Sequence, residues 1–454
     1  MTESEKSTTY GIFGHYGNEN LGDEAIIEAV IGNIKKRAPT AKIVCLSINP
    51  TDSAQRFNVT AYPIRNITTQ RQTHAQQIKT YYENAQDHGV DSTHNVLVVK
   101  EAGLKAAIKK LPLAKPLIKL LTDFPSLWRD FVGELRFLKD AYAHMQEIDV
   151  LFITGSNQFL DNFGGTWGFP YTLLKWCILA KLTHSKIGIL CVGAGPLDKM
   201  LSRIFVREII KMSDYVSFRD QASRALIEKN GFISYAEVYP DLAHSLINAK
   251  IGQANITATA TKSQLVVGIN PMPVYDSRYW HETDPVKAQA LYRAMGVLVS
   301  KIIKDGMAVF FFPTQPKDEF AIREIFKVVQ AELQQTLDIE QYIKRPQSVS
   351  GLIDIYLSAD LIIATRFHGV LLSLLCQRPV LGICYHRKSD DLLTAMGQLN
   401  YSVELDTLDA DDAYQKFTKL CENRHIEIEK IKTTNQKYNN LLQQQYDILF
   451  KIFP

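Results

Sequence analysis

The chain is short of the features that would take it out of ordinary soluble chemistry. Its six cysteines form no Cys-x-x-Cys pair, which removes the common redox and zinc-ribbon motifs. Several lie in apolar runs, so buried free thiols in a reducing cytoplasm are the expected state. No apolar run approaches the ~20 residues of a membrane-spanning helix. Met1 to Thr9 is polar and lacks the apolar centre of a secretion signal, so a cytoplasmic location is expected. A net charge of +3 is too small for a nucleic-acid footprint, and no nucleic-acid partner is expected. No His/Cys/Asp/Glu cluster has metal-ligand spacing, so no metal or cofactor is called for. Nor is there a Gly-x-Ser-x-Gly nucleophile elbow. What remains is 454 residues, 46% of them hydrophobic and 22% charged, enough for two or three domains.

Short apolar strands alternate with longer helical segments, the signature of an α/β fold with parallel sheets. Tyr10–Phe13, Lys42–Ser47, Val150–Thr154, Lys186–Val192, Tyr215–Phe218 and Glu237–Tyr239 read as strands of one series. Leu265–Ile269, Ala308–Phe312, Leu361–Ala364 and Val380–Cys384 form a second. The pattern places an N-terminal domain at 8–248 and a Thr/Ala-rich linker at 249–263. A C-terminal domain at 264–410 and a closing helical segment at 411–454 follow. Residues 66–145 interrupt the first series. Within them, 104–139 interleaves apolar residues with Lys105, Lys109, Lys110, Lys115, Lys119, Arg129 and Arg136. Such a basic amphipathic stretch suits peripheral contact with the inner face of a membrane. A solvated helix packed on its own domain is the favoured reading. Pro112, Pro116 and Pro125 are expected to break any long helix there.

Four strand ends carry the chemistry. Ala364-Thr365-Arg366-Phe367-His368-Gly369 joins a buried strand to an apolar helix, where open α/β sheets hold their ligands. An arginine and a histidine at that point suit an anionic substrate and proton transfer. The positive end of a helix favours a neutral imidazole, the form that accepts a proton. Tyr385-His386-Arg387-Lys388 adds cations to the same rim. Near the start, Gly14 to Glu24 has a strand–turn–helix order without the spacing of a dinucleotide or P-loop fingerprint. Asp23 and Glu24 open its helix and would repel a phosphate, leaving Asn18, Asn20 and Asp23 for hydroxyls. Thr154 to Gly165 is rich in amides and small residues, and Ser217-Phe218-Arg219-Asp220 sets another arginine at a strand end. Asp220 is expected to cap the next helix.

Together these elements resemble the polysaccharide pyruvyl transferase family. The matching stretches are Gly14 to Ile26, Gly155-Ser156, Val192 to Leu197, Phe218-Arg219-Asp220, Tyr239-Pro240-Asp241 and Thr365 to Gly369, with Pro379 and Lys388. They occur in the family's order over roughly residues 10 to 400. Many members carry three glycines where this chain has Gly155-Ser156-Asn157, and the basic insertion is not shared. The resemblance implies two Rossmann-like domains facing across a cleft, as in GT-B glycosyltransferases. It implies transfer of pyruvate from phosphoenolpyruvate to a sugar diol, forming a ketal. The acceptor would be a glycan or a lipid-linked sugar. Arg219, Arg366, Phe367, His368 and Lys388 would then meet the donor, with His368 as acid/base and Arg219 and Arg366 neutralising charge. Asn20 and Asp23 would position the acceptor. A nucleotide-sugar glycosyltransferase would share the architecture. A non-catalytic glycan-binding module of the same fold is the reading from another class.

Overall fold

The computed structural model describes residues 7–14, 16–17, 19–66, 114–162, 164–231, 236–252, 264–280 and 282–453. Asn18, the 67–113 part of the insertion and residues 253–263 of the linker lie outside them. Two parallel sheets make the frame. The first runs β3-β2-β1-β4-β6-β7-β8, with β5 paired to β6 off this path. Its strands are β1 (Thr9–Phe13), β2 (Lys42–Ser47), β3 (Thr60–Pro63), β4 (Val150–Thr154), β5 (Asn157–Phe159), β6 (Lys186–Ala194), β7 (Tyr215–Phe218) and β8 (Glu237–Val238). The second runs β10-β9-β11-β12-β13. It contains β9 (Val266–Asn270), β10 (Ala308–Phe311), β11 (Leu361–Ala364), β12 (Val380–Cys384) and β13 (Ser402–Glu404). This is an α/β fold of the GT-B kind.

The strands are apolar on both faces because helices cover both. Every residue of β1, β4, β11 and β12 is buried. The inner faces share one core. A single cluster joins Ile12, Cys45 and Phe152 of the first sheet to Ile362, Ala364 and Val380 of the second. Separate clusters fill the two outer faces. The final helix, Ala410–Ile452, is held to both halves. Its Asn435 donates to the carbonyl of Leu374 at 2.7 Å, and its Gln445 donates to Ser217 Oγ at 2.7 Å.

Strand order reverses at β1/β4 in the first sheet and at β9/β11 in the second. Helices leaving β1 and β11 therefore begin in the crevices where doubly wound sheets bind ligands. Those helices, Leu21–Arg37 and Phe367–Leu375, carry Asp23 and His368.

Two expectations are corrected. Pro116 and Pro125 do not break the insertion, since a single helix spans Ala114–Met145. Pro116 falls in the first turn, where its missing N–H would have no helical partner, and Pro125 costs one interior bond. The proposed linker opens with a short helix, Ala249–Gly252. All six cysteines are buried free thiols. Among the described residues no helix is long and apolar enough to cross a membrane.

Candidate active site

The two helix starts meet across the halves of the protein. The Leu21 N–H donates to the carbonyl of Thr314 at 3.0 Å. Gly22 lies so close to His368 that a Cβ on it would be 2.4 Å from the histidine Cβ. Only glycine allows this approach. Gly22→Ala is expected to push the two helices apart, lowering turnover about 100-fold and costing about 1–3 kcal/mol of stability. Steady-state kinetics beside thermal unfolding will check this.

Close approach produces an acid/base pair. His368 Nδ1 stands 3.5 Å from Asp23 Oδ1, with both side chains largely buried. Asn20 caps its helix by accepting from the Gly22 N–H at 3.1 Å and donates to Asp23 Oδ2 at 2.7 Å. The chain Asn20–Asp23–His368 therefore fixes the imidazole by its Nδ1 edge. Its other nitrogen, Nε2, is buried and has no hydrogen-bond partner among the described residues. Burial raises the Asp23 pKa, and Asp241 adds to the rise, while His368, Arg366 and Arg219 oppose it. His368, expected on a donor side, and Asn20 and Asp23, expected on an acceptor side, lie directly against one another. These residues form one unit because the helices abut.

Arg366 also differs from expectation. Its Nε lies 2.9 Å from Asp318 Oδ1, and its Nη2 reaches the same carboxylate. Asp318 is fully buried and also accepts from the Thr314 N–H, the Thr314 hydroxyl and the Gln315 N–H. Burial alone would lower the Arg366 pKa, but Asp318 outweighs it and holds the guanidinium charged. Two of its three nitrogens are thus committed, and the third, Nη1, faces the Tyr279 hydroxyl at 3.3 Å. The fork expected to clamp the donor instead ties the β11 turn to the Asp318–Leu333 helix.

Arg219 donates to Asn157 Oδ1 at 2.9 Å and stands 3.5 Å from both Asp220 and Asp241. Its guanidinium lies over the Phe367 ring at 4.8 Å, which links the first sheet to the His368 turn. Asp220 caps the next helix, as its position in the sequence implied.

Lys388 lies near Arg219 and Asp220, and no partner is recorded for its ammonium among the described residues. Burial and the Arg219 charge bring its pKa down to about 8. Burial, Lys388 and Arg219 also lower that of His386. The Phe367–Leu375 helix has no side-chain cap, so its first N–H groups are open to an anion. Lys388 and this helix start are positive features of the cleft without a partner among the described residues. Loss of the Lys388 charge as pH passes upward through about 8 is expected to weaken the binding of any anionic ligand held there. Lys388→Arg should abolish that loss, which initial rates at several pH values will measure.

Asn20, Asp23, Arg219, Arg366, Phe367, His368 and Lys388 come to this locus, while Asn18 lies outside the described residues. Asp318 and Tyr279 were not foreseen, and Tyr385 was named only as a neighbour of the cations on the rim. Tyr385 feels the charges of Arg366 and Asp23 and packs edge-on against Trp280 at 5.3 Å. Only Asp318 left a signal, a carboxylate opening a helix after a strand. Ser156 follows Gly155 in the left-handed region, with φ of 50° and 44°. That conformation is one glycine adopts without strain.

The family model for polysaccharide pyruvyl transferase matches residues 20–387. The chain belongs to the polysaccharide pyruvyl transferase family. No curated protein matches it. Among solved structures it is similar to a UDP-GlcNAc 2-epimerase from Neisseria meningitidis bound to UDP-GlcNAc. That match has TM-score 0.55 and 10% identity, covering 98% of this chain and 99% of that one. It is also similar to a UDP-glucose: anthocyanidin 3-O-glucosyltransferase, at TM-score 0.50 and 9% identity over 99% of both chains. The N-terminal domain of trehalose-6-phosphate phosphatase from Candida albicans gives TM-score 0.50 and 9% identity, covering 98% of this chain and 96% of that one. At such identities the likeness is one of fold. Family membership makes the protein a transferase acting on polysaccharide.

Proposed function

We propose that the protein moves pyruvate from phosphoenolpyruvate onto two hydroxyls of a sugar, forming a pyruvate ketal. The observation that carries this reading is the His368–Asp23 pair with a free Nε2 beside uncommitted positive charge. Phosphoenolpyruvate is small and doubly anionic. It suits an ammonium at Lys388 and an uncapped helix start at Phe367. Its central carbon gains two C–O bonds and loses the bond to phosphate. Two hydroxyl protons must move. One converts the enol methylene to a methyl group and the other leaves with phosphate. His368 Nε2 takes the proton of the first attacking hydroxyl and delivers it to the methylene, while Asp23 stabilises the imidazolium between the two transfers. Arg219 and Arg366 act chiefly through the local field and by holding Phe367 and the β11 turn. The acceptor sugar lies toward Tyr385 and Trp280, whose rings offer an apolar face to its C–H groups.

The alternative, a glycosyltransferase using a nucleotide sugar, draws on the shared fold alone. Calorimetric titration separates the two. Phosphoenolpyruvate is expected to bind and uridine diphosphate is not; the reverse result would replace this reading with glycosyl transfer.

A further inference from the structure

Pyruvyl transfer moves two protons, and His368 carries one of them. Having given its proton to the methylene, the imidazole is neutral and bare at Nε2 when the phosphate must leave. A phosphate ester dianion does not depart as a trianion, so the breaking C–O bond needs an acid of its own. Lys388 is poorly suited to that task. Surrendering its proton would remove the counter-charge of the phosphate just as charge builds there.

Tyr279 offers the second acid from the opposite wall. It stands in the loop between β9 and the helix Pro285–Lys304, at the carboxyl edge of the second sheet where strand order reverses. The base of this loop is fixed. Buried Asp276 accepts from the Tyr292 hydroxyl at 2.8 Å and from Arg278 Nε at 2.9 Å. Its carbonyl accepts from the N–H groups of Tyr279 and Trp280 at 3.0 and 2.7 Å. The Asp284 N–H closes the loop on the carbonyl of Tyr275 at 3.0 Å. The centre of the Tyr279 ring lies 5.2 Å from the Arg366 guanidinium and 5.8 Å from the Lys317 ammonium. Its oxygen accepts from Arg366 Nη1 at 3.3 Å, so the hydroxyl hydrogen points away from the guanidinium. No acceptor for that hydrogen is recorded among the described residues. Two neighbouring cations favour a phenolate, the form left once the proton is given. Tyr385 feels the charges of Arg366 and Asp23 and also that of Tyr279, which places Tyr279 in the space of the Asp23–His368 pair.

We infer that Tyr279 is a second catalytic residue, the acid that protonates the departing phosphate and the base that receives the proton of the second sugar hydroxyl. As the C–O bond to phosphate breaks, its electron pair stays with the bridging oxygen, which takes the phenol proton. The second hydroxyl then bonds to the central carbon and returns a proton to the phenolate. Phosphate leaves with one proton and the phenol is restored. The inference rests on the pyruvyl-transfer reading, and one experiment separates the two. Wild type, Tyr279→Phe and His368→Gln are incubated in deuterium oxide with phosphoenolpyruvate and a broad panel of glycans, following ketal formation and deuterium in the recovered donor. Phenylalanine keeps the ring over Arg366, so circular dichroism and calorimetric donor affinity should not change. Turnover of Tyr279→Phe should fall about 100-fold or more. Deuterium in the methylene of its recovered donor should rise per turnover, because the first adduct forms and reverts when phosphate cannot leave. His368→Gln should show little ketal and little exchange. Tyr279→Phe turnover close to that of wild type overturns the inference alone. So does a fall in turnover matched by lost donor affinity, or one without added exchange. Wild type that makes no ketal on any glycan overturns the pyruvyl-transfer reading and the inference with it.

Discussion

His368→Gln is expected to lower turnover by about 10²–10⁴-fold, the usual contribution of a positioned acid/base, with donor affinity changed only a few-fold. The reason is geometric. His368 Nδ1 is occupied by Asp23, while Nε2 is buried and unpartnered. The imidazole is therefore held at one edge and free at the edge that meets substrate. On the proposed reading Lys388 and the uncapped helix start recognise the donor's charge, so the substitution should leave donor binding in place. Asp23→Asn gives a second arm. An amide can present an N–H to Nδ1 and send the imidazole proton to Nε2, the wrong tautomer for a base. Turnover should fall there too, without loss of donor binding. Single-turnover kinetics alongside calorimetric donor titration will separate the steps. If His368→Gln kept near wild-type turnover while Lys388→Ala abolished donor binding, the acid/base role would be wrong.

The second large effect is on stability. Asp318→Ala should cost about 3–5 kcal/mol, because it leaves the Arg366 guanidinium buried without its counter-charge. It also strips acceptors from the Thr314 and Gln315 N–H groups, and Thr314 is the residue that bonds back to Leu21. Denaturant unfolding will measure the loss. An Asp318→Leu/Arg366→Met double variant should recover much of it, since apolar replacement of a whole buried pair is often near neutral. Turnover of that double variant decides what Arg366 does. Stability regained with activity still lost makes its Nη1 part of the chemistry. Recovery of both makes the pair a brace.

The sheets were legible because buried parallel strands are nearly continuous apolar runs, and runs such as Leu361-Ile362-Ile363-Ala364 have few other readings. β3, β5 and β13 escaped notice for the opposite reason: Thr60–Pro63 ends in proline at a sheet edge, and β5 and β13 have three residues each, two of them polar. At the site, residue types at strand ends named the participants without giving their pairing. Nothing local in the sequence says that Gly22 will touch His368, since that contact depends on how two separately folded sheets dock. The same holds for Arg366. An arginine at a strand end and an aspartate at a helix start 48 positions earlier each have ordinary local readings. Their union appears only in three dimensions, and it leaves Lys388 and the Phe367 helix start as the positive features proposed to meet the donor. For the insertion, composition pointed to a basic amphipathic surface, while the prolines misled about helix length.

The most direct measurement is incubation of the protein with phosphoenolpyruvate and a broad panel of glycans, following released phosphate and glycan mass together. Pyruvyl transfer predicts acceptor-dependent phosphate release matched, mole for mole, by a mass gain of one carboxyethylidene group on a glycan bearing a suitable diol. Phosphate release independent of glycan, or a panel that stays silent while the protein binds those same glycans, would contradict it.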